Sequence, residues 1–430
     1  MTQAIKYSGV GWIEEIPPEW KNERVKSVFQ EVSIKGFPSA PLLAATQHAG
    51  VILKSEVGWR TMEAKVDGRE NFKLVCEDDF VISLRSFEGG IEKSSVRGII
   101  SPAYTVLRLR DAKRCEPEYF KHFFKSATFL AQLKQHQKGI RDGQAIPFST
   151  LEYDFIAVPP FAEQRAIADY LDRQTALIDQ RLSTLAEKKT VLAELRKATI
   201  HDAVTKGLNK NAPMKDSGVA WIGEIPKNWE IKRLKSLLKE PLTYGANEAA
   251  DSNDLENPRF VRITDIDANG NLREDTFRSL PLDIARQYLL KEGDVLLARS
   301  GATVGKSFIY QRSWGRCCFA GYLIRARLNP DVCVPKFFYA CCQSTFYWQY
   351  ISDTQIQSTI QNVNAEKYAN LYLPCPPVDE QLTIAHHLDQ QTQHIDAQLA
   401  TLDEQAQVLK ELRKAIIHEA VTGKIDLSGT

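Results

Sequence analysis

The sequence predicts an α+β protein in which two mixed α/β domains are separated by two long helices that pair as a coiled coil. Three observations support this prediction. A helical segment of 48 residues occurs twice, a shorter segment around an Ile-Pro-x-x-Trp motif also occurs twice, and the stretches between them alternate short apolar runs with helical patterns. The chain is therefore predicted to consist of two tandem units of the same kind.

The helical repeat spans residues 161–208 and returns without a gap at residues 378–425, with 26 of the 48 positions identical. In both copies apolar residues recur every seven positions, a period that stays on one helix face only if the helix supercoils around a partner. We therefore expect each copy to pair with the other. The predicted seam comprises Leu171, Ile178, Leu185 and Leu192 in the first copy and Leu388, Ile395, Leu402 and Leu409 in the second, with Leu182, Leu195, Leu399 and Leu412 between them.

The alternative for this repeat is a pair of ordinary surface helices, each packed on its own domain. The length of each copy, roughly 65 Å at 1.5 Å per residue, favours the paired rod. Such a rod would set a fixed distance between the two domains.

The front repeat lies at residues 9–27 and again at residues 218–236. Because Pro fixes the backbone and Trp carries a large apolar surface, its Ile-Pro-x-x-Trp core predicts a turn followed by a buried anchor. The bodies at residues 28–160 and 237–377 resemble each other much less, which indicates one fold with two different surfaces. The predicted division is 1–160 for the first front element and body, 161–208 for the first helix, 209–217 for a linker, 218–377 for the second front element and body, and 378–430 for the second helix.

Within the bodies, runs rich in β-branched and aromatic residues and bounded by Gly, Pro or Asn predict strands. Stretches that open with a Pro suited to the first helical turn predict helices. The predicted strands are residues 79–84, 104–109, 260–263, 294–298 and 322–328, and the predicted helices are residues 117–137 and 335–351.

The composition is that of a globular protein, with 43% hydrophobic and 25% charged residues. The sequence contains neither an apolar run of signal-peptide length nor one long enough to span a bilayer, so we expect a cytoplasmic protein. Eight cysteines without a Cys-x-x-Cys spacing predict buried thiols. A formal net charge of +1 excludes a surface uniformly coated in positive charge, so any nucleic-acid contact must come from local patches.

Two segments look like catalytic motifs, and both are incomplete. Residues 301–307 have three residues between their glycines where a phosphate-binding loop has four. The Val-Pro-Pro-Phe segment at residues 158–161 resembles the element with which amino-methyltransferases hold the target amine, but Val158, and Cys375 in the second copy, replace the side chain that would accept from that amine. We therefore predict no catalytic residue, and His and Cys spacings predict no metal site.

The polar loops of the bodies have the side-chain types that read DNA. Arg and Lys pair with guanine edges or phosphates, and Gln and Asn pair with adenine. The candidates in the first body are Gln47, His48, Lys54, Arg85, Ser86, Lys93, Lys138, Arg141 and Gln144, and those in the second are Arg262, Thr264, Arg299, Ser300, Lys306, Gln357, Ser358, Thr359 and Asn362.

Two repeated motifs carry a resemblance to a known family. Residues 9–20 recur at 218–229, and a Pro-Pro pair followed by Glu-Gln and Ile opens both long helices, at Glu163-Gln164 and at Glu380-Gln381. Because these motifs occur twice in this order, the chain resembles the DNA specificity subunit of type I restriction-modification enzymes over nearly its whole length.

The resemblance implies two target recognition domains separated by two long antiparallel coiled-coil helices, with an internal pseudo-twofold repeat. It implies a non-catalytic subunit that binds double-stranded DNA at a bipartite asymmetric site. Two methyltransferase subunits and two restriction subunits would then be its partners. S-adenosylmethionine, ATP and Mg²⁺ are expected in those partners, and no cofactor is expected in this chain.

Two other functions stay open at this point. A coiled-coil scaffold whose two heads bind proteins or sugars would show no sequence-dependent retention of DNA. A self-sufficient methyltransferase would need S-adenosylmethionine binding by the lone chain, although its motifs are missing.

Overall fold

A computed structural model of the protein describes residues 6–10, 13–47, 49–57, 68–84, 86–136, 146–249, 251–267, 270–356 and 362–427. The chain forms two compact units. The first unit comprises Met1–Leu185 and Asp403–Thr430, and the second comprises Ala186–Leu402. Each unit therefore takes part of both long helices.

The first unit begins with a hairpin of the front element and continues into short strands and helices. Its strands are Lys6–Val10, Ile13–Ile16, Lys21–Arg24, Phe29–Val32, Leu43–Thr46, Gly50–Leu53, Lys73–Val75, Phe80–Ile82, Glu92–Lys93, Gly98–Ile100, Thr105–Leu109 and Phe155–Val158, and its shorter α-helices are Val25–Val28, Ser86–Gly89, Pro117–Phe123, Ala127–Gln135 and Phe148–Leu151.

The second unit repeats this plan. Its strands are Met214–Asp216, Glu224–Pro226, Glu230–Arg233, Thr243–Tyr244, Arg259–Val261, Val295–Ala298, Ser307–Ile309, Cys317–Phe319, Leu323–Ala326 and Tyr372–Cys375, and its shorter α-helices are Leu282–Ala285, Pro335–Cys341, Thr345–Ile356 and Ala365–Ala369. The strand Met214–Asp216 pairs with Glu224–Pro226, so part of the stretch predicted as a linker belongs to the front element.

Each unit has its own central sheet, and the two sheets have the same topology. In the first unit the antiparallel strand order is Phe29–Val32, Thr105–Leu109, Phe80–Ile82, Glu92–Lys93, and in the second it is Thr243–Tyr244, Leu323–Ala326, Val295–Ala298, Ser307–Ile309. A buried carboxylate precedes the third strand in both sheets and binds an Arg through two nitrogens. Asp79 binds Arg108 of the neighbouring strand, and Asp294 binds Arg327, which directly follows the neighbouring strand. Both units therefore have the same fold although their sequences have diverged.

The prediction of one continuous helix over 117–137, and of another over 335–351, is wrong. Each is two helices, Pro117–Phe123 with Ala127–Gln135 and Pro335–Cys341 with Thr345–Ile356. A serine causes the break in each unit: Ser126 caps the following helix by accepting from the Phe129 amide, and the Ser344 hydroxyl donates to the Cys341 carbonyl at 2.6 Å.

Both long helices are present, as Phe161–Lys206 with 46 residues and Val378–Val421 with 44. Their ends enter the hydrophobic cores of the units. Ile167 and Leu171 join Ile417 and Val421 in the core of the first unit, and Ile200 and Val204 join Ile384 and Leu388 in that of the second. The predicted fold class, mixed α and β domains with two long helices, is confirmed.

Candidate nucleic-acid interface

A buried glutamine fastens the start of each long helix to the body of its unit. The Gln164 side chain accepts from the Glu116 amide at 2.8 Å and donates to the carbonyls of Arg114 and Pro159 at 3.0 and 2.9 Å. Because Glu116 immediately precedes the helix Pro117–Phe123, these bonds fix that helix relative to the long one. In the second unit Gln381 makes the same three bonds, to Val334, Val332 and Pro376.

The tryptophan of each front element bonds to the carboxylate beside that glutamine. Trp20 Nε1 donates to Glu163 Oε2 at 2.9 Å, and Trp229 Nε1 donates to Glu380 Oε2 at 3.0 Å. Both indoles are fully buried, which confirms the predicted anchors. Burial raises the pKa of the Glu163 carboxyl, and its bond to Trp20 opposes that shift.

Each long helix also ends against one of these tryptophans. Gly207 and Gly423 follow the helix ends with φ near +73°, a conformation that favours glycine. A Cβ on Gly207 would lie 3.0 Å from the Trp229 ring, and one on Gly423 would lie 3.3 Å from the Trp20 ring. Front element, helix start and helix end therefore meet at one point in each unit.

The two long helices run antiparallel within each unit and are joined there by an ion pair. In the first unit Arg413 Nη1 lies 2.9 Å from Asp179 Oδ1. In the second, Arg196 binds Asp396 through two nitrogens at 2.8 and 3.3 Å and donates to Gln343 at 3.1 Å. These two ion pairs occupy equivalent positions of the repeat, so both units use the same helix register.

The predicted seam residues differ in burial along the helices. Leu171, Ile178, Leu388 and Ile395, which lie near the bodies, are buried. Leu185, Leu192, Leu402 and Leu409, which lie near the middle of the helices, are only half-buried. Leu195 and Leu412, placed in the same stripe from the sequence, are 51% and 42% exposed.

In the second unit several candidate DNA-reading residues converge where the strand Val295–Ala298 ends. Arg299 and Ser300 follow this strand, Ser300 pairs with Asn362, and the Ala298 amide donates to the Lys306 carbonyl at 2.8 Å. Four of the predicted residues, Arg299, Ser300, Lys306 and Asn362, therefore lie together.

Two tyrosines that were not predicted from the sequence complete this cluster. The Arg299 guanidinium carbon lies 4.8 Å from the centre of the Tyr244 ring, and the Arg299 amide donates to the Tyr322 carbonyl at 3.1 Å. The Tyr322 side chain is 66% exposed. We call Tyr244, Arg299, Ser300, Lys306, Tyr322 and Asn362 the Arg299 cluster.

Two buried polar atoms inside the Arg299 cluster have no hydrogen-bond partner among the described residues. They are Nε of Arg299 and Oδ1 of Asn362, and both are shielded from solvent. An unpaired buried polar group costs free energy, so an arriving ligand that bonds to these atoms would relieve that cost.

The segment that resembles a phosphate-binding loop lies beside this cluster. Residues 301–306 connect two antiparallel strands, Val295–Ala298 and Ser307–Ile309, and no helix follows them directly. A phosphate-binding loop requires a helix N-terminus after the glycines, so this segment lacks the architecture as well as the spacing.

Arg262 and Thr264, the other predicted residues of the second unit, lie around a buried carboxylate. Arg262 binds Asp265 through two nitrogens at 3.0 and 2.7 Å and donates to the Thr276 carbonyl, and Thr264 Oγ1 lies 3.5 Å from Asp265. The Arg262 guanidinium is thus already bonded to other groups of the protein.

Two of the described candidates of the first unit line a cleft of about 680 Å³. Exposed Gln47 and half-buried Lys93 line this cleft, and Lys93 lies 2.7 Å from Asp78 and 2.8 Å from Glu118. Lys54 is half-buried, whereas Ser86 is buried and its hydroxyl accepts from the Ser83 amide at 2.8 Å. The described candidates of the first unit therefore do not lie together at one strand end, as four of those in the second unit do.

The remaining predicted residues lie outside the described part of the chain. They are His48, Arg85, Lys138, Arg141 and Gln144 in the first unit and Gln357, Ser358 and Thr359 in the second.

Comparison with known proteins agrees with this architecture. Residues 226–405 match the family model described as type I restriction modification DNA specificity domain. The specificity subunit of the type I restriction enzyme EcoBI from Escherichia coli is 22% identical over 324 residues, which cover 72% of this chain and 67% of that protein. The MjaVIII specificity subunit from Methanocaldococcus jannaschii is 23% identical, with 82% and 80% covered. Residues 226–405 of this chain therefore match a type I DNA specificity domain, and both relatives are specificity subunits of type I restriction enzymes.

A solved chain from a study of complex assembly and conformational transition of the type I R-M system has the same fold. It superimposes with a TM-score of 0.71 at 19% identity, over 95% of this chain and 99% of that one. The resemblance drawn from the repeated motifs is thereby confirmed, and so is the prediction of a non-catalytic specificity subunit.

The sequence marked several residues of the candidate site and its supporting contacts only indirectly. The Glu-Gln pairs at 163–164 and 380–381 recur together with Trp20 and Trp229. We call these six residues the Trp–Glu–Gln frame, and their joint recurrence was the signal available in the sequence. Tyr244 and Tyr322 left no such signal, because the bodies share little sequence. In the part of the chain that the structure describes, no helix is both long enough and apolar enough to cross a bilayer.

Proposed function

We propose that this specificity subunit recognises a bipartite asymmetric DNA site, with one half-site read by each unit, and directs partner subunits to it. The observation that carries this proposal is the contrast within the chain. The Trp–Glu–Gln frame and the helix ion pairs are the same in both units, whereas the loops at the ends of the central sheets differ. One scaffold that presents two different surfaces suits two different half-sites.

We further propose that methyltransferase subunits, with S-adenosylmethionine, modify adenines in that site, and that restriction subunits use ATP and Mg²⁺. Exposed apolar residues at repeat-equivalent positions of the long helices, Val191 with Leu195 and Val408 with Leu412, suit two copies of one partner. We expect this assembly to act in the cytoplasm.

Replacing the first body tests whether the units read independently. Substituting residues 28–160 with the corresponding body of another family member should change one half-site completely and leave the other half-site unchanged, because the second body keeps its loops. Mapping of methylated adenines in cells that carry the methyltransferase partner would measure this. A change in both half-sites would show that the two bodies do not read separately, and loss of all sequence preference would contradict the proposed function.

The spacing between half-sites is proposed to follow the length of the long helices. Inserting one heptad between Glu187 and Lys188 and another between Glu404 and Gln405, which are equivalent repeat positions, keeps the seam in phase. The added length of about 10 Å should enlarge the unread spacer by roughly three base pairs, at about 3.4 Å per base pair. A four-residue insertion at the same places is the control, because it puts the seam out of phase. An unchanged spacer with the heptad insertion would refute the dependence.

Arg299 and Lys306 should have different effects on recognition. Replacing Arg299 with Ala should reduce discrimination at one base pair by about 1–3 kcal/mol, because a guanidinium can bond to two atoms of a base edge. Replacing exposed Lys306 with Ala should weaken all duplexes alike, because a phosphate contact carries no sequence information. Binding competition among duplexes with single base-pair changes would measure both. Equal losses across all duplexes for Arg299→Ala would remove this residue from base reading.

A further inference from the structure

We propose that each unit carries an additional DNA contact that binds the sugar-phosphate backbone irrespective of sequence. It is formed by Arg24 and Lys26 in the first unit and by Arg233 and Lys235 in the second, and we call these pairs the backbone patches. This inference rests on the proposed function, since it requires that the assembled complex binds DNA.

The backbone patches arise from an Arg-x-Lys-Ser sequence that occurs at residues 24–27 and 233–236. In both units the serine hydroxyl donates to the arginine carbonyl at 2.7 Å. The residue between the two cations is buried, and its amide donates to a body carbonyl at 2.9 Å, Val25 to Asp154 and Leu234 to Leu371. The same backbone therefore presents both pairs of cations.

Aromatic rings support the cations of the first patch. The Arg24 guanidinium carbon lies 5.4 Å from the centre of the Phe155 ring and 6.0 Å from that of Tyr153. The Lys26 ammonium lies 4.2 Å from the Tyr153 ring centre. Both rings are substantially exposed, at 38% and 52%. A ring attracts a cation without cancelling its charge, so these side chains are oriented but still positive.

The second patch has the same construction. The Arg233 guanidinium carbon lies 5.1 Å from the centre of the Tyr372 ring, which stands at the position equivalent to Phe155. Two guanidinium nitrogens also donate to neutral groups, to the Tyr372 hydroxyl at 2.7 Å and to Asn370 Oδ1 at 3.4 Å. Lys235 is exposed beside it.

These four cations lack carboxylate partners in the part of the chain that the structure describes. The adjacent carboxylates are neutralised by other residues, Glu23 by Arg114 and Glu230 by Lys232. Lys93 and Arg262, by contrast, were selected from the sequence as DNA-binding candidates and are bound to carboxylates. The backbone patches therefore have charge available for a phosphate.

The repetition of the patches indicates what they bind. The bodies have diverged and are proposed to read different bases, yet the patches are alike, so their ligand must be common to both half-sites. The phosphate backbone is the same for every base sequence and is negatively charged, which complements cations that are not paired with carboxylates. A partner protein present in two copies is the other possible common ligand, and the experiment distinguishes it.

The test uses the complex of the specificity subunit with its methyltransferase partner. Fluorescence anisotropy would measure the affinity for a duplex with the recognised site and for one without it, at several salt concentrations. Arg24→Ala with Lys26→Ala, and separately Arg233→Ala with Lys235→Ala, should weaken both duplexes by the same factor. The slope of log affinity against log salt should fall by about 0.9 for each phosphate that is no longer neutralised, so by up to roughly 2 for each double variant. The methylated sequence should stay unchanged.

Two controls separate this effect from others. Lys197→Ala with Lys206→Ala removes the same charge from exposed lysines that already pair with Glu194 and Asp202, and should leave the slope unaltered. Arg24→Lys with Lys26→Arg keeps both charges and should retain the slope, which keeps the test informative if a double alanine variant folds poorly.

Several outcomes would overturn the proposal. They are an unaltered salt slope in the double alanine variants, an altered methylation sequence, and loss of the methyltransferase from the purified complex, which would make the patch a protein-docking surface. If the unmodified complex bound both duplexes equally, sequence recognition would fail, whereas the patches would still be judged by the slope.

Discussion

Replacing Trp229 with Ala should lower the free energy of unfolding of the second unit by about 3–5 kcal/mol, as for other buried aromatic residues replaced by Ala. Trp229 is fully buried in the core that also contains the ends of both long helices. Its loss leaves a cavity and removes one of two side-chain donors to Glu380, since Asn228 still donates to it at 3.4 Å. Chemical denaturation followed by far-UV circular dichroism would measure the change.

Trp229→Phe and Tyr322→Ala are the matched comparisons. Phe keeps most of the ring volume but not the donor, so this variant should lose less than Trp229→Ala. Tyr322 is an exposed aromatic residue of the same unit, and its replacement should leave stability nearly unchanged. Trp20→Ala should destabilise the first unit by a similar amount, because Trp20 makes the equivalent bond to Glu163. A loss below about 1 kcal/mol for both tryptophans would show that the front elements are not anchors.

The sequence predicted the parts of the fold that depend on local periodicity. The seven-residue spacing from Leu171 to Leu192 is a property of one helix, and the repeat itself marks its partner. The break between Phe123 and Ala127 was missed because the apolar pattern continues across it, and only the cap at Ser126 reveals two helices. Sheet order was not predictable, since Phe29–Val32 pairs with a strand more than 50 residues away in the chain.

The residues proposed to read DNA were harder to predict for a related reason. Arg262 and Arg299 look alike in the sequence, and only tertiary structure gives one a buried carboxylate and places the other on a tyrosine ring. The burial of Ser86 is likewise decided by its packing and not by its residue type. The frame residues were predictable because they occur twice, whereas Tyr244 and Tyr322 occur only in the unit whose half-site they would contact.

Asp294 connects stability with the proposed recognition, because it directly precedes the strand Val295–Ala298 and Arg299 directly follows that strand. The Asp294 carboxylate is 1% exposed, binds Arg327 at 2.8 and 2.6 Å, and accepts from the Lys291 amide at 2.8 Å. Asp294→Ala should therefore cost about 3 kcal/mol of unfolding free energy, because it leaves a largely buried guanidinium short of one partner. The value lies at the low end for such pairs, since Glu240 still contacts Arg327.

A double variant makes this prediction specific to the ion pair. Asp294→Leu with Arg327→Leu removes both charges and should recover much of the stability lost in Asp294→Ala, because apolar residues can replace a buried pair at little cost. Asp275→Ala, which breaks an exposed pair with Arg273, should have no measurable effect. Chemical denaturation of these variants, of Asp294→Leu and Arg327→Leu alone, and of the unmodified protein would measure these differences. If the double variant were as unstable as the sum of the single changes, the energy would lie in packing and not in the charge pair. If Arg299 reads a base pair as proposed, discrimination there should fall with Asp294→Ala and return with the double variant, because the strand that positions Arg299 is restored.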